Sequence, residues 1–174
     1  FGIDARLPGL TYAAIRRAPV FGAVVQKVDD AAARALPGVI DVVRLDDAVA
    51  VVARGYWHAQ RALDTVEVQW SRTGNESIDS DALFAQFERD MDAAIASGKE
   101  RKDFALGDAR RALANAPRVV EAAYRVPYLA HTCMEPMNAT AHVRDGICDL
   151  WTGTQNPLGF RYSVAEALGL DAAS

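Results

Sequence analysis

The chain has 174 residues, 51% apolar and 24% charged, proportions of an ordinary folded protein that exclude wholesale disorder. Lysine and arginine number 19 against 23 aspartates and glutamates, a formal charge of −4, and the basic residues are scattered. No stretch could neutralise a run of phosphates, so nucleic acid is not an expected partner.

Cys133 and Cys148 are too few for a disulfide framework. His131-Thr132-Cys133 is not a usual spacing of zinc ligands, so no protein metal site is expected. No apolar run approaches the roughly 20 residues that cross a bilayer, so no membrane span is expected. The sequence opens on Phe1 rather than methionine and stops at Ser174, and both ends read as cut.

In chain order, residues 10–16 and 22–28 read as short strands, separated by a loop in which Pro19 removes a ladder donor. Asp29 or Asp30 can cap a helix over 31–36, which Pro37-Gly38 stops. The β-branched runs 39–45 and 48–53 predict two strands joined by a turn at Asp46-Asp47. A helix over 56–63 and an alternating strand over 66–70 complete a β-β-α-β-β-α-β unit of about 70 residues.

The polar stretch 72–77 reads as a linker. Beyond it the spacing predicts a long helix over 79–97, capped by Asp79 or Ser80 and ended by Gly98. Its apolar stripe, Leu83, Phe84, Phe87, Met91, Ala94 and Ile95, must lie on another surface, because a lone helix of this length is marginal in water. A short helix over 108–116 and a strand over 119–126 follow. Asp145-Gly146 predicts a hairpin between strands 139–144 and 147–152. Asn156-Pro157 then starts a last helix over 158–168, with Gly169 past its end.

No Gly-rich phosphate loop, Cys-x-x-Cys pair or Gly-x-Ser-x-Gly elbow is present. His142 falls within a predicted strand as a face residue, and His58 lies on a surface-type helix. Two segments have unusual chemistry. Residues 130–138 gather His131, Cys133, Glu135 and Asn138 between apolar strands. They read either as a loop whose polar groups satisfy one another, or as a site with Glu135 as base or Cys133 as nucleophile. The second, Thr152-Gly153-Thr154-Gln155-Asn156-Pro157, joins a strand end to a capped helix. Such a junction is either a plain connection or the place where mixed α/β proteins commonly hold ligands.

Gly2-Ile3-Asp4-Ala5-Arg6-Leu7-Pro8-Gly9, Tyr12-Ala13-Ala14-Ile15 and Ala35-Leu36-Pro37-Gly38-Val39 resemble the hammerhead α/β domain of the molybdenum hydroxylases, the xanthine dehydrogenase and aldehyde oxidase family. Gly107-Asp108, residues 120–124, residues 131–138 and Trp151 to Pro157 resemble the opening of that family's first cofactor-binding domain. The segments run in the family's order along nearly the whole chain. The long helix and Met134-Glu135-Pro136-Met137-Asn138 are most similar to the isoquinoline 1-oxidoreductase beta-subunit and bacterial aldehyde dehydrogenase branch.

The resemblance implies an α+β chain: a hammerhead domain over 1–74, a helical linker region over 75–117, and over 118–174 the opening strands and helices of a molybdopterin-binding domain. It implies molybdopterin cytosine dinucleotide as cofactor, holding molybdenum through its dithiolene with no protein ligand. Gln155, with Gly153 and Thr154, is the implied cofactor contact, a neutral amide able to polarise an oxo ligand without adding charge. The family's glutamate base and glycine-rich cofactor loops lie further along the subunit, which leaves Glu135, Cys133 and His131 either structural or supporting the contact residues from behind, and this piece inactive and not expected to bind the cofactor alone. The whole enzyme would hydroxylate an N-heterocycle or oxidise an aldehyde with water, passing electrons to an iron–sulfur subunit. Its compartment, bacterial cytoplasm or periplasm, stays open. Two rival readings remain: a non-catalytic module docking a subunit through the 79–97 helix, and a small hydrolase needing Glu135 and His131 in one cleft.

Overall fold

Five of the predicted strands, lying within residues 12–70, assemble into two antiparallel sheets that enclose the core. The computed structural model describes residues 2–99, 101, 103–130 and 132–172. A 3-10 turn at Gly2–Asp4 leads to β1 (Tyr12–Arg17), β2 (Val25–Asp29), α1 (Ala31–Arg34), β3 (Val39–Arg44), β4 (Ala48–Ala53), α2 (Tyr56–Leu63) and β5 (Glu67–Trp70). One sheet has the order β1-β4-β3 and the other pairs β2 with β5. Consecutive strands β1 and β2 thus lie in different sheets, as do β4 and β5.

β4, Ala-Val-Ala-Val-Val-Ala, is flanked on both edges and is almost continuously buried, which is why it lacks the alternation of a one-sided strand. Val49, Val51 and Ala53 have no exposed surface, and Ala33, Ala59, Ala62 and Leu63 join them in the core from α1 and α2. Alanines on the helical side let backbone approach sheet closely. Arg16 ties the first sheet to the end of α2: its guanidinium donates to the Leu63 and Val66 carbonyls, both at 2.9 Å. Arg44 donates across to the Val25 carbonyl of the second sheet.

Helix α1 is a single turn, shorter than the span 31–36 predicted from sequence. Asp29 accepts weakly from the Ala31 amide, while Asp30 pairs with Arg34 instead of capping. Past the 72–77 connection, α3 (Ser80–Ser97) is capped by Asp79, which accepts from the Ala82 amide at 2.8 Å, and ends at Gly98 in the left-handed conformation. After α4 (Ala109–Ala114), β6 (Ala139–Arg144) and β7 (Ile147–Thr152) form a hairpin whose turn residues Asp145 and Gly146 both have positive φ, the geometry that matches strand twist. Helix α5 (Pro157–Leu168) closes the chain, capped by Asn156.

Two expectations from the sequence do not hold. Residues 119–126 form no strand: they lack a ladder partner among the described residues, and their side chains are exposed. A strand persists only through its ladder, so β-branched composition alone did not suffice. The stripe of α3 is also not laid on a core. No α3 residue is buried, and Phe87, Met91 and Ile95 remain 40–59% exposed. What touches it is the 125–128 segment, where Arg125 pairs with Glu88 and lies over the Phe84 ring, and Tyr128 meets Phe87 edge-on.

Burial divides the chain sharply. Among the described residues, Ala165 alone of the buried apolar side chains lies beyond Val66. A compact monomer of this mass exposes roughly 8,300 Å², whereas this chain exposes 14342 Å².

Candidate cofactor-contact site

The two segments of unusual chemistry meet at the open end of the β6–β7 hairpin. Register places Ala139 opposite Thr152, so the residues before β6 and after β7 emerge side by side. The Thr152 hydroxyl donates to the Asn138 carbonyl at 2.9 Å, and the Asn138 amide donates to the Pro136 carbonyl at 2.7 Å. The half-buried Glu135 reaches the same spot: a Cβ placed on Gly153 would lie 3.5 Å from its Oε2 and 3.9 Å from its Cδ.

From Gly153 the chain turns into α5. The Thr154 hydroxyl accepts from the Asn156 amide at 3.1 Å, and Asn156 Oδ1 accepts from the Gly159 amide at 3.0 Å, satisfying a free donor of the helix's first turn. Gly159 permits this cap, since a Cβ there would stand 2.4 Å from Asn156 Nδ2. Gln155 sits at the outside of the turn, exposed, and Gly153 and Thr154 are exposed beside it. A cavity of about 300 Å³ opens between β7 and α5, lined by Cys148, Leu150, Thr154, Phe160, Arg161 and Val164 among others. Thr154 reaches it; Gln155 and Gly153 do not line it.

The remaining sequence candidates separate. Cys133 is exposed, Met134 and Met137 project almost fully into solvent, and His131 lies outside the described residues, so the shared cleft of the hydrolase reading falls there too. His142 is exposed on β6 with Nδ1 2.9 Å from Arg144, which also pairs with Asp149. His58 on α2 packs against Gly38 and Gly55. Among the described residues no three His, Cys, Asp or Glu side chains gather as a metal site would require. No helix among them is long and apolar enough to cross a membrane. Sequence reasoning missed the Glu135–Gly153 approach and the Thr152–Asn138 bond; the hairpin register, which sets Ala139 opposite Thr152, could have suggested the second, but nothing in the spacing signals the first.

Residues 89–174 match the family model described as Molybdopterin cofactor-binding domain. Together with the relatives below, this match supports a molybdenum hydroxylase family fragment. It is 30% identical to the beta chain of isoquinoline 1-oxidoreductase from Brevundimonas diminuta over 98% of this chain and 22% of that protein. It is 32% identical to one of the subunits of nicotinate dehydrogenase from Pseudomonas putida over 98% of this chain and 14% of that protein. A protein of Gluconacetobacter polyoxogenes named membrane-bound aldehyde dehydrogenase [pyrroloquinoline-quinone] is 28% identical over 89% of this chain and 21% of its own length. The fold is similar to that of quinoline 2-oxidoreductase from Pseudomonas putida 86, with a TM-score of 0.67, 19% identity, and coverage of 99% of this chain and 27% of that one. The chain thus spans about a fifth or less of the curated relatives it matches.

Proposed function

We propose that the chain is part of the cofactor-binding subunit of a molybdenum-dependent oxidoreductase that hydroxylates an N-heterocycle or oxidises an aldehyde, with water as oxygen source. In this reading residues 1–74 are a hammerhead domain, 75–117 a linker region and 118–174 the opening of the molybdopterin-binding domain. The cofactor is the cytosine dinucleotide form, and an iron–sulfur subunit takes the electrons.

The observation that carries the reading is the exposed neutral amide of Gln155 at the β7–α5 junction. The residues present suit one contact with the cofactor rather than a cage around it. Gln155 offers a donor and an acceptor without charge, and its turn is fixed by the Asn156 cap on one side and the Thr152–Asn138 bond on the other. Gly153 adds no side chain, and Thr154 lines the neighbouring cavity. The bound cofactor supplies the two-electron oxidation; the chain's own part is to aim Gln155 at it and keep a hydrogen bond there.

The isolated chain is inactive in this reading. It exposes roughly 6,000 Å² more than a compact monomer of its mass, area that calls for covering surface from outside the described residues. Gln155→Ala in the full-length subunit tests the site: kcat falls on the order of a hundredfold while molybdenum content and assembly hold. Unchanged kcat refutes it, and stoichiometric molybdenum in the purified 174-residue chain refutes the further expectation that this piece alone binds no cofactor.

The uncovered stripe of α3 favours a second reading, a non-catalytic docking module. On that reading Met91→Asp in the full-length subunit abolishes assembly, and Gln155→Ala changes nothing.

A further inference from the structure

We infer that Glu135 is a positioning residue for the Gln155 turn, acting through Gly153; this rests on the cofactor-contact reading above. The segment 135–138 and the segment 152–153 meet at two points. One is the Thr152 hydroxyl donating to the Asn138 carbonyl at 2.9 Å. The other is an approach rather than a bond: Glu135 Oε2 lies 3.5 Å from where a Cβ on Gly153 would stand. On its far side the turn is pinned by the Asn156 amide on the Thr154 hydroxyl and by the Asn156 cap. Gln155 is therefore the free point of a turn whose two ends are held, with Glu135 standing beside the Thr152–Asn138 bond at the end nearer the strand.

Chemistry favours this role over acid–base work. Glu135 is only half-buried, it points at a residue with no ionisable group, and Gly153 separates it from the amide it serves. What it supplies is volume and a fixed wall. A side chain that fills the same space without charge therefore keeps the function.

The test uses the full-length subunit assembled with its partners, carrying Glu135→Ala, Glu135→Gln, Gln155→Ala and the Glu135→Ala/Gln155→Ala double variant. Glu135→Ala lowers kcat roughly tenfold or more, as misplacement of a contact by a fraction of an ångström does, with KM within about twofold. Glu135→Gln restores most of the rate with an unaltered pH profile. The double variant is no slower than Gln155→Ala, because the brace has nothing left to aim. Independently of activity, amide hydrogen exchange in peptides covering 150–158 quickens severalfold in Glu135→Ala, with molybdenum content held.

Multiplying defects in the double variant, unchanged exchange, or a Glu135→Gln variant that loses one limb of its pH profile would each overturn the inference. Full activity in Gln155→Ala would sink the cofactor reading itself; impaired Gln155→Ala beside normal Glu135→Ala would sink only the role of Glu135. If Glu135→Ala does not accumulate, Glu135→Asp draws the carboxylate back by one methylene and is read by the same measurements.

Discussion

The imidazole of His58 fills the space where a side chain on Gly38 would stand: a Cβ there would lie 2.8 Å from His58 Cδ2. Gly38 also has φ of +86°, in the left-handed region that side chains disfavour. Both constraints fix the corner between α1 and β3, where the Arg54 amide donates to the Gly38 carbonyl at 2.9 Å. Gly38→Ala is expected to destabilise the chain by about 2 kcal/mol or more, read from the urea midpoint. Adding His58→Ala recovers only part of that loss, since the backbone cost remains. Full recovery would show that the collision alone matters.

Stability resides in the first 70 residues. Val51 has no exposed surface, and Val51→Ala removes two methyl groups and leaves a cavity, an expected loss of about 2–3 kcal/mol. Met91, 58% exposed on α3, contributes little in the isolated chain, so Met91→Ala stays within about 0.5 kcal/mol there. The same substitution in the full-length subunit costs clearly more if the stripe is covered. Equal small losses in both settings would show that α3 stays bare.

Acid weakens the fold through three carboxyls held below the ordinary carboxylate range. Asp47 is held down by the hydrogen bond from Arg17, Asp41 by the hydrogen bond from Arg34, and Glu76 chiefly by the Thr73 amide. The unfolded chain therefore takes up these protons first as pH falls. Their stabilisation is whole above roughly pH 5, fades below about pH 4, and is gone once the native carboxyls are protonated. Unfolding midpoints measured from neutral pH down to about pH 2 should show this slope. Asp47→Asn lowers the midpoint at neutral pH and merges with the parent at the acid end; a constant gap would disprove the linkage.

The cap of α5 is separable from the proposed cofactor contact. Asn156→Ala leaves the Gly159 amide without its acceptor, an expected cost of about 1 kcal/mol to the helix start. Hydrogen exchange at the amides of residues 158–160 should quicken while the β6–β7 hairpin is unaffected. Protection unchanged at 158–160 would mean that the cap carries no weight.

The sequence by itself determined the local elements: strands over 39–45 (39–44 in the structure) and 48–53, the helix over 56–63, the Asp145-Gly146 hairpin, the cap at Asn156, and a cap at Asp79 or Ser80 that falls on Asp79. Those depend on periodicity, β-branching and turn chemistry within a few residues, all of which are written in one window of sequence. The segments 2–9, 12–15, 35–39, 107–108, 120–124, 131–138 and 151–157, taken together in chain order, also carried the family resemblance. Only the tertiary structure decided that β1 leaves β2 to flank β4, that residues 119–126 have no ladder, that the α3 stripe is uncovered, and that Glu135 comes to Gly153. Each of these is a contact between distant segments, and its free energy depends on which partner surface is present, something no local pattern encodes.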